Sequence, residues 1–179
     1  AMNWLDVFWS QRISNPILMG TTFIVSIMLI ASFIDLPFSI YRNFVLEQKF
    51  GFNRMTVKTF TADLIKEILL TLILMIPLIY AILYLMNISS IGDYWWIYVW
   101  VIISLFTLTM MWIYPSFIAP IFNKFNPLDN DALKSRINNL LERTGFGSDG
   151  IFVMDGSKRS SHGNAYFTGI GKNKRIVFF

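Results

Sequence analysis

The run YWWIYVWVIISLFTLTMMWIYPSFIAPIFN, Tyr94 to Asn123, is thirty residues long and carries no formal charge. At about 1.5 Å of rise per helical residue, roughly twenty apolar residues cross a hydrocarbon core of about 30 Å. The run therefore predicts a membrane span. Tyr94, Trp95, Trp96, Tyr98 and Trp100 crowd its start, and Trp112 and Tyr114 stand near its end, as two interfacial aromatic belts would. Pro115 and Pro120 are expected to break the helix, which limits the span to 94–115.

Working outward, two more runs have the same character. Ile68 to Gly92 is uncharged and is interrupted by Pro77, which a bilayer helix tolerates because neighbouring groups satisfy the freed carbonyl. Ile13 to Ile34 is also uncharged. Spans are expected over 13–38, 64–86 and 94–115, with a cytoplasmic loop at 39–63 and a tight polar turn at Asn87–Asp93. The composition agrees: 55% hydrophobic residues and a mean hydropathy of +0.54 are too apolar for a water-soluble domain of this size. Trp4, Phe8 and Trp9 read as an interfacial anchor, and the first residues lack the basic start of a signal peptide. The lipid bilayer is one expected partner.

Charge sets an orientation. Arg42, Lys49, Arg54, Lys58 and Lys66 fall between the first two runs, and Lys124, Lys134, Arg136 and Arg143 follow the third, whereas the 87–93 turn has no basic residue. Basic connections stay in the cytoplasm, so the C-terminal part is expected there. The net charge of +4 is spread along the chain and forms no dense block, which argues against a nucleic-acid partner. Cysteine is absent, so disulfides, thiolate metal sites and a cysteine nucleophile are excluded.

Residues 1–125 form the transmembrane region on this reading, and 126–179 a small α+β piece. Asn126-Pro127-Leu128-Asp129 announces a helix at 130–144 with Asp129 or Asn130 as N-cap, an apolar stripe of Leu133, Ile137, Leu140 and Leu141, and Gly145 or Gly147 at its end. Strands are expected at 151–154, 164–170 and 175–179, the last two forming a β-hairpin around Gly171-Lys172-Asn173-Lys174. The fold class is thus a helical membrane protein of three spans followed by a cytosolic α+β piece.

Chemistry read from the residues alone is sparse. His162 is the single histidine; it adjoins Ser160 and Ser161, but no G-x-S-x-G elbow is present for a serine hydrolase. One imidazole and no thiolate fall short of the three protein ligands a catalytic zinc requires, and Gly169-Ile170-Gly171-Lys172 lacks P-loop spacing. No catalytic or metal-ligating residue is assigned in this chain.

Three stretches add a resemblance: FSIYR through EQKFGFN (Phe38–Asn53), YPSFIAPIFNKF (Tyr114–Phe125) and DGSKRSSHGNAYFTG (Asp155–Gly169). In that order they resemble the CAAX prenyl protease family of integral-membrane zinc metalloendopeptidases, over nearly the whole chain. The resemblance implies a helical enclosure with a cytosol-side metalloprotease domain that hydrolyses prenylated or membrane-associated peptide and protein substrates, in the bacterial inner membrane or, in eukaryotes, the endoplasmic reticulum. It implies zinc in the parent enzyme, held by an H-E-x-x-H helix that this sequence does not contain. The expectation is a segment without its own zinc and without peptidase activity. The resemblance also implies that Asn164-Ala165-Tyr166 borders the cleft, with His162, Asn164, Ala165 and Tyr166 binding substrate and His162 and Asn164 offering polar contacts. Arg42, Glu47, Gln48 and Asn53, on the cytoplasmic loop, would form a brace against the catalytic domain, with Glu47–Arg54 as one conceivable ion pair. The alternative is a non-enzymatic membrane scaffold or small transporter, although Asp35 and Asp63 lie near span ends, where transport chemistry would not place them.

Overall fold

The computed structural model describes residues 2–169 and 174–179. The chain divides into two compact units, Ala1–Val45 with Thr61–Leu105, and Leu46–Phe60 with Phe106–Phe179.

The first unit is helical. Helix α1 (Met2–Ser10) is followed by α2 (Pro16–Tyr41), whose start is fixed by Asn15: its Oδ1 accepts the N–H groups of Ile17 at 2.9 Å and Leu18 at 3.1 Å, and Pro16 supplies a preset φ at the first helical position. The indole N–H of Trp9 donates to Ser26 Oγ at 3.0 Å and ties α1 to α2. A side chain on Gly20 would meet Leu83 of α4 (Val57–Asn87) at 3.0 Å, a close approach of the kind that small residues permit between membrane helices. A 3₁₀ segment, Ser89–Tyr94, leads from α4 to α5 (Trp95–Ile113).

Three helical stretches, Pro16–Lys49, Val57–Asn87 and Gly92–Phe122, are long and apolar enough to cross a membrane, and their apolar windows are almost wholly unburied within the protein. Phe33 is 74% exposed and Ile73 68%. Apolar surface of this extent is stable only against lipid or further protein.

Two expectations are corrected here. The stretch 39–63 is not one loop: α2 runs to Tyr41, a π-helical turn (Arg42–Leu46) and a short helix α3 (Glu47–Lys49) continue it, and α4 begins at Val57. Charged residues punctuate the sequence there, yet Arg42, Glu47 and Lys49 lie within consecutive helical segments, and only 50–56 is non-helical. Nor do Pro115 and Pro120 end the third helix. A π-helical turn (Tyr114–Ile118) and a last helical turn, α6 (Ala119–Phe122), follow α5. The N–H of Ala119 bonds to Tyr114 O, five residues back, and Pro120 has no N–H to offer Pro115 O. The carbonyl so released is taken by Arg175, whose Nη1 donates to it at 3.1 Å.

The second unit contains a four-stranded sheet in the order β1-β2-β4-β3, built from β1 (Phe125–Pro127), β2 (Gly150–Met154), β3 (Ala165–Thr168) and β4 (Arg175–Phe178). β1 pairs antiparallel with β2, β2 parallel with β4, and β4 antiparallel with β3. Val177, in the central strand, is 1% exposed, and Ile151 on β2 is 5% exposed. Helix α7 (Asp131–Thr144) stands between β1 and β2 in sequence, capped by Asn130 Oδ1 on Leu133 N–H at 2.9 Å and closed by Gly145 at φ 66°. The turn expected at Gly171–Lys174 and the strand end at Ile170 lie, Lys174 apart, outside the described residues.

Candidate functional site

β3 is an edge strand, with β4 as its one ladder partner among the described residues. Asn164 and Phe179 exchange both backbone bonds, Asn164 N–H to Phe179 O at 2.8 Å and Phe179 N–H to Asn164 O at 2.9 Å. In an antiparallel ladder such doubly bonded pairs alternate with unbonded ones, and the register continues Ala165↔Phe178, Tyr166↔Val177, Phe167↔Ile176. Tyr166 and Thr168 therefore turn their backbone polar groups towards β4. Ala165 and Phe167 turn theirs to the open edge. The Ala165 N–H is met locally by Asn164 Oδ1 at 2.8 Å.

The same two-residue period separates the side chains of β3: Ala165 and Phe167 are exposed, Tyr166 and Thr168 half-buried, and Asn164, just ahead of the strand, is exposed. Tyr166 is half-buried, with its hydroxyl donating to Met154 Sδ at 3.9 Å and its ring 6.0 Å from that of Phe179. Burial pushes its phenol above the ordinary value, and Tyr114 nearby adds to this. Tyr166 thus packs on the covered face of the sheet, while Ala165 and Phe167 stand exposed with their backbone groups at the open edge. Beside the far end of β3 an open cavity of about 420 Å³ is lined by Met110, Met111, Tyr114, Phe167, Thr168 and Gly169.

The connection from β2 to β3 is fixed at several points. Asp155 accepts Lys124 N–H at 2.7 Å through Oδ1 and pairs with Lys158 through Oδ2. Burial raises its carboxyl, but the Lys158 ammonium, the Lys124 N–H and the Arg159 guanidinium outweigh this and hold it below the ordinary value. Arg159 donates to Asn123 Oδ1 at 2.5 Å and to Phe122 O at 2.6 Å, taking up a carbonyl that the end of α6 leaves without an intrahelical donor. Asn53 and Ser160 form an isolated antiparallel bridge, flanked by Arg54 N–H to Arg159 O at 3.0 Å and Ser161 N–H to Phe52 O at 2.9 Å.

His162 is turned onto this brace. Its ring lies on Phe52, with centroids 4.0 Å apart and planes inclined at 30°, and its Nε2 is 3.4 Å from Glu47 Oε2. Glu47 therefore faces His162, where an ion pair with Arg54 was one expectation. Gln48 Oε1 accepts Asn53 Nδ2 at 2.9 Å within the same loop. Phe52 and Arg159 had no role in the sequence reading, and Glu47 had only that of a brace. The EQKFGFN run was visible, but pairing between stretches so far apart along the chain leaves no local pattern.

The donor set does not fit a catalytic zinc by itself: no group of three or more His, Cys, Asp or Glu gathers among the described residues, and His162 meets one carboxylate.

Three apolar spans followed by a small α+β sheet with an open edge define an integral membrane protein. Residues 1–124 match a family described as CAAX prenyl protease N-terminal, five membrane helices, and residues 127–179 match peptidase family M48. The chain belongs to this CAAX prenyl protease family of membrane peptidases. It is 44% identical over 165 residues to CAAX prenyl protease 1 homolog of Oryza sativa subsp. japonica, covering 92% of this chain and 38% of that protein. It is 46% identical over 151 residues to CAAX prenyl protease 1 of Saccharomyces cerevisiae, covering 84% and 33%. The crystal structure of S. mikatae Ste24p superposes with a TM-score of 0.86 at 38% identity, over 98% of this chain and 42% of that one. The chain spans between about a third and two fifths of the length of these curated relatives.

Proposed function

We propose that this chain forms the membrane-embedded and substrate-docking part of a zinc-dependent endopeptidase that cleaves prenylated or membrane-associated proteins, with the sheet on the cytoplasmic side. A single observation carries the reading: β3 is an edge whose Ala165 and Phe167 backbone groups point away from the sheet. An extended peptide that adds to such an edge gains main-chain hydrogen bonds and presents alternate side chains to flanking pockets. Asn164 would supply the polar side-chain contact and Ala165 the backbone contact. The apolar cavity at the strand's far end offers room for a substrate side chain. Tyr166 supports the strand from below, and His162 acts through the brace rather than by facing the peptide. Zinc, when bound in the parent enzyme, supplies the activated water. Its ligands come from outside the residues described here, so this chain alone is not expected to hydrolyse a peptide.

Ala165→Pro, placed in the protease that carries this segment, tests the edge. The Ala165 N–H faces outward, so a proline there leaves the β3–β4 ladder intact while its ring obstructs an incoming strand. Loss of one or two edge hydrogen bonds predicts a fall in kcat/KM of about tenfold or more on a prenylated peptide, with the melting temperature retained. Cleavage at the wild-type rate would remove the docking role from β3.

A further inference from the structure

The connection Asp155–Asn164 contains one short 3₁₀ turn, Gly156–Lys158, and otherwise no regular structure, yet it delivers the first residue of the open edge. Ordering such a segment costs conformational entropy at every residue, so its position depends on its anchors. Asp155 and Arg159 secure its start, and the Asn53–Ser160 bridge with Ser161 N–H on Phe52 O secures its middle. The last anchor before the strand is His162, two residues ahead of Asn164.

That anchor is held by chemistry of its own. Glu47 Oε2 is buried and accepts no hydrogen bond among the described groups, and His162 Nε2 lies 3.4 Å from it. A carboxylate oxygen removed from water without a donor is costly, and the polar edge of an imidazole brought alongside lessens that cost. Phe52 fixes the plane of the ring from beneath. Glu47 is itself set by the backbone of its own turn, because its carbonyl accepts the N–H groups of Phe52 at 2.9 Å and Asn53 at 3.2 Å. The turn therefore presents the carboxylate and the aromatic platform as one unit.

We propose that Glu47 and His162, with Phe52 as platform, form a clamp that positions the docking edge: the Glu47 carboxylate holds the His162 ring, and the ring holds the strand entry at Gly163–Asn164 in register for peptide pairing. Glu47 and His162 are positioning residues, acting on substrate through Asn164 and Ala165. The inference rests on the reading of β3 as the docking edge. A clamp of this kind acts on capture of the peptide rather than on bond cleavage, so its loss raises KM and leaves kcat in place.

The test uses the full-length protease and a prenylated peptide, with Glu47→Gln, His162→Ala, His162→Gln and the double variant Glu47→Gln/His162→Ala beside Ala165→Pro. His162→Ala is expected to raise KM about tenfold and Glu47→Gln about fivefold, with kcat unchanged and the double variant no worse than His162→Ala alone. His162→Gln, whose amide nitrogen can reach the carboxylate, should recover part of the loss. Should His162→Ala fail to fold, the KM of Glu47→Gln together with faster amide exchange at Gly163–Ala165 carries the same test. An unchanged KM in both single variants, or losses that simply add, would overturn the clamp. If Ala165→Pro is impaired while these variants are not, the docking edge stands and the clamp falls. If Ala165→Pro behaves as wild type, the docking reading itself has failed.

Discussion

At the exit from β2, Asp155 joins three parts of its surroundings: the Lys124 N–H, the Lys158 ammonium and, at longer range, the Arg159 guanidinium. Its folded pKa lies below the ordinary 3.8, so the native state favours the carboxylate. The stability it contributes is full above about pH 3.8 and is lost as the pH falls through the lower folded value. Asp155→Asn keeps the acceptor for Lys124 and removes the charge. The wild type should therefore melt at a higher temperature than the variant at neutral pH, and the difference should shrink as the pH falls below about 3.8. A gap that stays constant over this range would show that the carboxylate charge plays no such part. At this scale the sequence was least informative. His162 reads as a polar loop residue and Asn164 as the first residue of a strand, but nothing in their spacing tells that the ring of His162 lies on Phe52 while Asn164 stays exposed. Partner choice depends on chain crossings, and these have no local signature.

Whole elements were more legible, because their causes are local. Uncharged length marks the three spans, and a cap at Asp129 or Asn130 with Gly145 or Gly147 at the end marks α7, where the structure uses Asn130 and Gly145. Gly145 sits at φ 66° with open space where a Cβ would stand, so Gly145→Ala pays only for the left-handed backbone, about 1 kcal/mol. Gly147 has no positive φ and equally open space, so Gly147→Ala should stay within about 0.5 kcal/mol of wild type. Denaturant melts in detergent separate the two; equal effects would mean that the cap does not end the helix. Element ends were harder to read. Proline is commonly taken as a stop, yet after Pro115 the backbone shifts to five-residue bonding and hands a carbonyl to Arg175 instead. β1 escaped notice because three residues ending in proline carry no alternation and acquire strand geometry only by pairing with β2.

For the whole molecule, the chemistry of the edge and the placement of the charges must agree about which compartment meets the substrate. Basic residues cluster between the first two spans and after the third, and the 87–93 turn has none, so the proposal puts the sheet in the cytoplasm and that turn on the opposite side. Each basic residue left in a short connection resists translocation, and five lie between the first two runs alone, which makes the inverted arrangement the costlier one. The chain has no cysteine, so a single introduced thiol reports one position without background. Ser135→Cys on exposed α7 should react with a membrane-impermeant maleimide only from the cytoplasmic face of sealed vesicles, and Asn87→Cys, at the end of α4, only from the other. Labelling of both from the same face would mean that the number of crossings between them is even, and the third span would be lost. Labelling of each from the face opposite to that expected would keep the spans but place β3 where a cytoplasmic prenylated substrate cannot reach it, and the docking role would have to be given up.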